Sequence, residues 1–258
     1  MPDVVRVSIV GAGGMGKAHA MALKAINEVN LLSVVDLVHE KAKQFASELG
    51  LRAYSNLSEM SNAEKVDAVW ICTPSYSHCK VAIEAAKLGL HVFSEKPMAL
   101  KIEDCNLITE AIIKNKVKYG LGFVERFSPF YTNVKQMVSD GKLGEISFAW
   151  SGRMGYLKPG TWYTNKAESG GMIVDLNIHD LDLLRWLCGD VDRVYSECST
   201  RIFTEIDIYN NAWIVIKFRN GGMGTVGGSW ISQFWHTIFG IIGERGAITK
   251  EGDSLNVE

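Results

Sequence analysis

A β-branched run from Val4 to Val10 leads straight into Gly11-Ala12-Gly13-Gly14-Met15-Gly16, and a helical pattern follows from about Lys17 to Ile26. Glycines at the G-x-G-x-x-G spacing between a strand and a helix leave few folds open. The first makes a tight turn, the second lets a ligand approach the backbone, and the third lets the helix pack closely on the strand. The apolar face of that helix reads as Ala18, Met21, Ala22 and Ala25. Strands at Leu31 to Val35, Arg52 to Tyr54, Val66 to Ile71, His91 to Ser94 and Val117 to Phe123 then alternate with helices. The helices read at Lys41 to Leu49, near Ser58, at His78 to Leu88 and at Ile102 to Asn115. Such alternation specifies an α/β domain with a doubly wound parallel sheet.

After Phe123 the rhythm changes. A helix reads over Pro129 to Ser139 and a strand over Gly144 to Met154, then an irregular stretch from Gly155 to Gly171 precedes a helix from Ile173 to Leu187. Strand-like runs follow at Val191 to Arg201, Ala212 to Phe218, Met223 to Ser232 and Thr237 to Ile242. Consecutive strands imply a second, α+β domain with an open, mostly antiparallel sheet. The expected division is residues 1–123 and 124–258, with the boundary near Phe123 to Phe127.

Apolar residues make up 47% of the chain and charged residues 22%, which suits a globular protein with a substantial core. Basic and acidic residues nearly balance at 27 and 29, and no basic cluster is visible, which argues against a nucleic-acid partner. Five cysteines with no C-x-x-C pair argue against a disulfide framework or a metal site and for a reducing compartment. With no charged-then-apolar leader and no run approaching a membrane span, the expectation is a cytoplasmic protein without a membrane partner.

Asp36 closes the second strand, twenty residues beyond Gly16. A carboxylate there can accept from both ribose hydroxyls of a dinucleotide and repels a 2′-phosphate, so NAD is expected in preference to NADP; the other reading is a strand-end turn residue. Leu37 follows where an arginine would favour NADP, although His39 and Lys41 lie close by. Glu95-Lys96-Pro97 ends the fifth strand. Ligands of open parallel sheets bind beyond the carboxyl ends of the strands, and a lysine held there by a proline reaches both cofactor and substrate. Downstream, Asp175 and His179 lie four apart on a helix entered through Gly170-Gly171, a spacing that serves a general base and its orienting carboxylate. The same spacing also serves a surface pair that merely supports a helix. Asp182 joins this cluster, with Leu176, Leu183, Leu184 and Leu187 on the buried face. Tyr156, Trp162, Tyr163 and Asn165, in the irregular stretch, combine aromatic faces with polar groups suited to a polyol, or to a simple aromatic-anchored loop.

Taken in order, the glycine turn, Cys72-Thr73-Pro74 with His78, His91-Val92 through Glu95-Lys96-Pro97, Arg126-Phe127-x-Pro129, and Gly170-Gly171 through Asp175-x-x-x-His179 resemble the Gfo/Idh/MocA family of glucose–fructose oxidoreductases and inositol 2-dehydrogenases. The resemblance covers essentially the whole chain. It implies an N-terminal Rossmann domain, a C-terminal domain that often mediates assembly into dimers or tetramers, and NAD(P)-dependent oxidation of a sugar, cyclitol or related hydroxy compound. Lys96, Asp175 and His179 match the family's catalytic residues. Gly11, Gly13, Gly14, Met15, Gly16, Asp36, Thr73, Pro74, His78, Glu95 and Lys96 are expected around the cofactor, and Arg126, Tyr156, Trp162, Tyr163 and Asn165 around the substrate; no metal is expected. A non-catalytic nucleotide-binding or regulatory protein, or an NAD-dependent glycosidase, shares the fold and stays open as an alternative. Family members usually continue for several elements past the point where this chain ends, so a fragment or a compact variant is expected.

Overall fold

The computed structural model describes residues 4–251 and 254–257. The chain divides into two compact units, the first ending at Gly122 and the second beginning at Phe123.

The first unit alternates β1 (Val5–Val10), α1 (Gly14–Lys24), β2 (Val29–Val35), α2 (His39–Leu49), β3 (Arg52–Tyr54), α3 (Leu57–Ala63), β4 (Ala68–Ile71), α4 (His78–Lys87), β5 (His91–Ser94), α5 (Ile102–Asn115) and β6 (Tyr119–Leu121). The strands pair in parallel in the order β3-β2-β1-β4-β5-β6. The order reverses between β1 and β4, which opens a crevice at their carboxyl ends. Because helices cover both faces, the strands are apolar on both. Val7, Ile9 and Val34 pack with Ala20, Leu23 and Phe45, whereas Val10, Val69 and Ile71 pack with Met60, Ala82 and Ile108. Turn chemistry sets several helix ends. Gly50 takes a left-handed conformation after α2, and the Asn56 side chain caps α3 by accepting from the Glu59 N–H at 2.8 Å. The face of α1 differs from the sequence expectation: Gly16, Ala20 and Leu23 are buried, while Ala18, Met21, Ala22 and Ala25 are exposed. Close packing of Gly16 on the glycine turn fixes the helix rotation, and this overrides the alanine-rich stripe.

The second unit comprises a 3₁₀ turn (Val124–Phe127), α6 (Pro129–Ser139), β7 (Ile146–Tyr156), a 3₁₀ turn (Trp162–Thr164), α7 (Lys166–Ser169), a π-helical turn (Ile173–Asn177) and α8 (Ile178–Cys188). β8 (Val191–Ser199), β9 (Asn211–Phe218), β10 (Met223–Ser229), β11 (Ile231–Gly243), β12 (Gly246–Glu251) and β13 (Ser254–Val257) follow. Seven strands form one sheet in the order β13-β12-β11-β7-β10-β9-β8, antiparallel except for the β7–β10 pair. One face carries Ile214, Ile216, Phe218, Val226, Phe239 and Ile241 against Tyr131 and Val134 of α6 and Leu183, Leu184 and Leu187 of α8. Each such side chain contributes roughly 1.5–3 kcal/mol on burial.

By alternation the other face presents Trp150, Trp213 and Val215. Trp150 and Trp213 lie flat on glycines of the paired strands. A Cβ on Gly240 would meet the Trp150 ring at 2.1 Å, and one on Gly227 would meet the Trp213 ring at 2.4 Å. β11 begins six residues earlier than its apolar run suggests, because its register shifts between Ile231 and His236 and the alternation is lost there. No helix among the described residues is long and apolar enough to cross a membrane.

Candidate active site

In the first unit the glycine turn is shaped from two sides. Gly11 has φ +109°, and a Cβ there would lie 2.7 Å from the Cys72 carbonyl oxygen; one on Gly16 would lie 2.1 Å from the Gly11 carbonyl oxygen. Both positions exclude any side chain. Nothing stands within 4 Å of where a Cβ on Gly13 or Gly14 would be. Gly13 caps α1 with no side-chain hydrogen bond, so the first-turn N–H groups face an open cradle. Such a cradle fits a pyrophosphate, which those N–H groups and the positive end of the helix attract. Asp36 ties the end of β2 to this turn: Oδ2 accepts from the Ala12 N–H and Oδ1 from the Val38 N–H, each at 2.9 Å. Each oxygen keeps a lone pair for a ribose hydroxyl. Leu37 beside it is 89% exposed.

Beyond β4 and β5, the Thr73-Pro74 turn and the Glu95-Lys96-Pro97 turn lie at the same end of the sheet. Ser77 Oγ donates to Thr73 Oγ1 at 2.7 Å. Lys96 is partly exposed, whereas both residues beside it are buried. Glu95 Oε1 meets His19 Nε2 at 2.6 Å, and Glu95 Oε2 accepts from the Lys96 N–H at 3.2 Å. The His78 ring is 1% exposed; its Nδ1 lies 2.7 Å from the Pro97 carbonyl oxygen and its Nε2 lies 2.9 Å from that of Thr73. Glu95 and His78, both expected around the cofactor, have protein partners below the surface. Burial pushes the His78 ring below the ordinary imidazole range, against the opposing pull of the two carbonyls. Burial, reinforced by Glu95, pushes the Cys72 thiol up to about 12, so it stays protonated and is no nucleophile.

In the second unit Gly170 and Gly171 both have positive φ, and the Asp175 N–H bonds back to the Gly171 carbonyl at 2.9 Å. The segment read as continuous helix starts with the π turn instead, and this turn carries Asp175 and Asn177, both buried. His179, half-buried, sits in the first turn of α8. Asn177 Nδ2 donates to the Gly227 carbonyl at 3.1 Å, and a Cβ on Gly228 would collide with its amide at 2.5 Å. Gly228 thus lets the π turn settle onto the sheet.

Asp182, expected beside Asp175 and His179, is engaged by Arg126. It takes a two-pronged bond from Arg126 (2.8 and 2.6 Å), and the guanidinium also packs on Phe123 and Trp186, so Arg126, expected around the substrate, clamps α8. Beside it runs a buried network absent from the sequence reading. Asp180 accepts from Ser151 Oγ at 2.5 Å and from Arg153 Nε at 3.1 Å, and Arg153 Nη2 donates to Glu125 at 2.7 Å. Burial pushes the Asp180 carboxyl up while Arg153 and Ser151 pull it down. Removing one partner of such a buried pair typically costs about 3–5 kcal/mol, so the network fixes α8 firmly. Its signal in the sequence is Arg153, the one charged residue of β7.

Asn165, expected around the substrate, has a local role in the fold. Its Oδ1 accepts from the Ala167 N–H and its Nδ2 donates to Glu168, both at 2.9 Å, which makes it the N-cap of α7. Trp162 stacks on Tyr163 at 3.9 Å, and the half-exposed Tyr156 meets Phe203 edge-on. Among the described residues no group of three or more His, Cys, Asp or Glu could hold a metal, and all five cysteines are free thiols.

A dinucleotide cradle at the switch point of a doubly wound sheet, carried in one chain with an open-sheet domain, defines a two-domain nicotinamide-dependent oxidoreductase. Residues 5–123 match the oxidoreductase family with an NAD-binding Rossmann fold, GFO_IDH_MocA, and residues 131–249 match the GFO/IDH/MocA C-terminal domain. The chain belongs to the Gfo/Idh/MocA family. It is 30% identical over 259 aligned positions to the scyllo-inositol 2-dehydrogenase (NAD(+)) of Bacillus subtilis, covering 96% of this chain and 74% of that protein. It is 29% identical over 231 positions to the myo-inositol 2-dehydrogenase of Thermotoga maritima, covering 87% and 68%. Among solved structures, the WlbA dehydrogenase of Bordetella pertussis in complex with NADH and UDP-GlcNAcA superposes with a TM-score of 0.92 at 27% identity, covering 99% and 78%.

Proposed function

We propose that this oxidoreductase oxidises a secondary alcohol of a cyclitol or sugar with NAD, in the cytoplasm. The observation that carries the reading is the occurrence in one chain of the glycine cradle with Lys96 at the end of β5, and of Asp175 and His179 on the π turn and α8. Glycines 11, 13, 14 and 16 with Met15 would hold the pyrophosphate, and Asp36 the adenosine ribose; Thr73, Pro74 and Lys96 flank the reactive end. When bound, NAD supplies the hydride acceptor. Lys96 donates to the reacting oxygen and stabilises the charge that develops there. His179 takes the hydroxyl proton, and Asp175 orients the imidazole. Tyr156, Trp162 and Tyr163 offer faces on which the C–H side of the substrate stacks. The relatives named for inositol oxidation, and the five free thiols expected of a reducing compartment, support the reading. It is tested by following reduced-nicotinamide absorbance with a panel of cyclitols and sugars. Absence of reduction with every member, alongside tight NAD binding, would favour a nucleotide-binding role instead.

The carboxylate of Asp36 and the aliphatic Leu37 favour NAD over NADP. Asp36→Ala combined with Leu37→Arg is expected to shift preference toward NADP in calorimetric titrations, and tighter binding of NADP by the parent would overturn the assignment. The Trp150–Trp213 face of the second unit is proposed as the surface of a symmetric dimer or tetramer. Light scattering at micromolar concentration should give a multiple of the chain mass, and Trp213→Asp should lower it; a monomeric parent would refute the proposal.

A further inference from the structure

We infer that His78 is a positioning residue for Lys96, an assignment that rests on the proposed role of that lysine. Lys96 stands between two anchored neighbours: the Glu95 carboxylate is held by His19 of α1, and the Pro97 carbonyl is met by His78 of α4. Proline has no N–H, so its carbonyl is the backbone group through which the turn can be held. The neutral ring has one N–H; carried on Nδ1 it donates to the Pro97 carbonyl, the shorter contact, while Nε2 lies beside the Thr73 carbonyl, so the imidazole sits between the turns that follow β4 and β5. The remaining buried positions of α4 are the alanines Ala82, Ala85 and Ala86; a polar ring at 1% exposure, with Nδ1 2.7 Å from a carbonyl oxygen, is there for its bond and not for bulk. Leaving a buried carbonyl without its donor costs about 1–3 kcal/mol, enough for the turn to move. Displacement of a reacting group by about 1 Å costs on the order of 10²-fold in rate.

The test compares His78→Ala, His78→Asn and His78→Gln. The asparagine amide nitrogen is as many bonds from Cβ as Nδ1 and can donate to Pro97; the glutamine amide nitrogen corresponds to Nε2 and can donate to Thr73. The first measurement is the NMR resonance of Lys96 after reductive ¹³C-methylation, assigned with Lys96→Arg. It should move in His78→Ala and His78→Gln and return toward the parental position in His78→Asn. The second is single-turnover NAD reduction at saturating cofactor and polyol. It should fall roughly 10–100-fold in His78→Ala and recover in His78→Asn, with NAD affinity within about threefold throughout. A parental resonance and rate in His78→Ala, or no difference between the asparagine and glutamine variants, overturns the assignment. If His78→Ala does not fold, the asparagine–glutamine comparison decides. If no polyol reduces NAD in the parent, the proposed reaction fails, while the Lys96 resonance still tests the positioning claim.

Discussion

Replacement of His179 by alanine is expected to lower the rate of hydride transfer by ~10²–10⁴-fold, the usual contribution of general base catalysis, while NAD affinity changes by no more than a few-fold. The reasoning is one of location. In the proposed reaction the phosphate and adenosine-ribose contacts fall to the glycine turn, the first turn of α1 and Asp36, all within the first unit. His179 and Asp175 lie in the second unit, and in the proposed roles they would bear on the substrate oxygen only as it loses its proton, which is where an interaction raises the rate and not merely the binding. Lys96→Met should lower the rate comparably and also weaken polyol binding, because a charged donor to the reacting hydroxyl is lost. Asp175→Asn should damage turnover by leaving the imidazole in the wrong tautomer or orientation. Pre-steady-state NAD reduction with a cofactor titration for each variant checks all three. Near-parental transfer rates in both His179→Ala and Lys96→Met would remove the assignment.

Gly16→Ala and Gly13→Ala are expected to impair cofactor binding by opposite routes. A methyl on Gly16 would sit 2.1 Å from the Gly11 carbonyl oxygen, a backbone atom that cannot swing aside. The turn must deform, and overpacking of this kind costs about 1–3 kcal/mol of stability, with the cradle distorted in consequence. A methyl on Gly13 meets nothing within 4 Å, and the backbone there is extended with φ −90°. Stability should therefore stay within ~0.5 kcal/mol of the parent. The methyl nevertheless enters the space in front of the helix N-terminus that the pyrophosphate needs, so the dissociation constant for NAD should rise about tenfold or more. Thermal melts with and without NAD separate the two behaviours. A Gly13→Ala variant that binds NAD like the parent would show that the cradle is not where the phosphates sit.

The alternation of the first unit was plain in the sequence because parallel strands, buried on both faces, appear as short unbroken apolar runs, and because Gly50 and Gly89 punctuate the helices that follow. The glycine turn and Asp36 were legible for a related reason: their spacing is imposed by backbone geometry. What the sequence hid was set by packing between distant residues. The buried face of α1 is chosen by Gly16 against Gly11, a contact that a count of apolar side chains does not register. Asn165 resembles a substrate ligand in composition, yet its position one residue before a short helix made it a cap. Arg126 and Asp182 are 56 residues apart and Arg153 and Asp180 are 27 apart, so only the folded sheet reveals them as pairs. His78 was visible as a motif residue, but its two carbonyl partners come from turns that periodicity cannot bring together.

The π turn at Ile173–Asn177 separates what α8 does for the fold from what its entry does for the chemistry. A π turn bonds five residues back where an α-helix bonds four, so it holds one residue more than the helix it interrupts. Excision of a single residue there leaves Leu183, Leu184 and Leu187 in their places against the sheet, yet turns everything before the excision, the Gly170-Gly171 entry included, by about 100° around the helix axis. The glycine entry is therefore adjustable independently of α8, on which His179 and the core leucines stay together. A single-residue insertion or deletion at the turn swings the chain that leads into α8 and leaves His179 and the leucine face of α8 in register with the sheet.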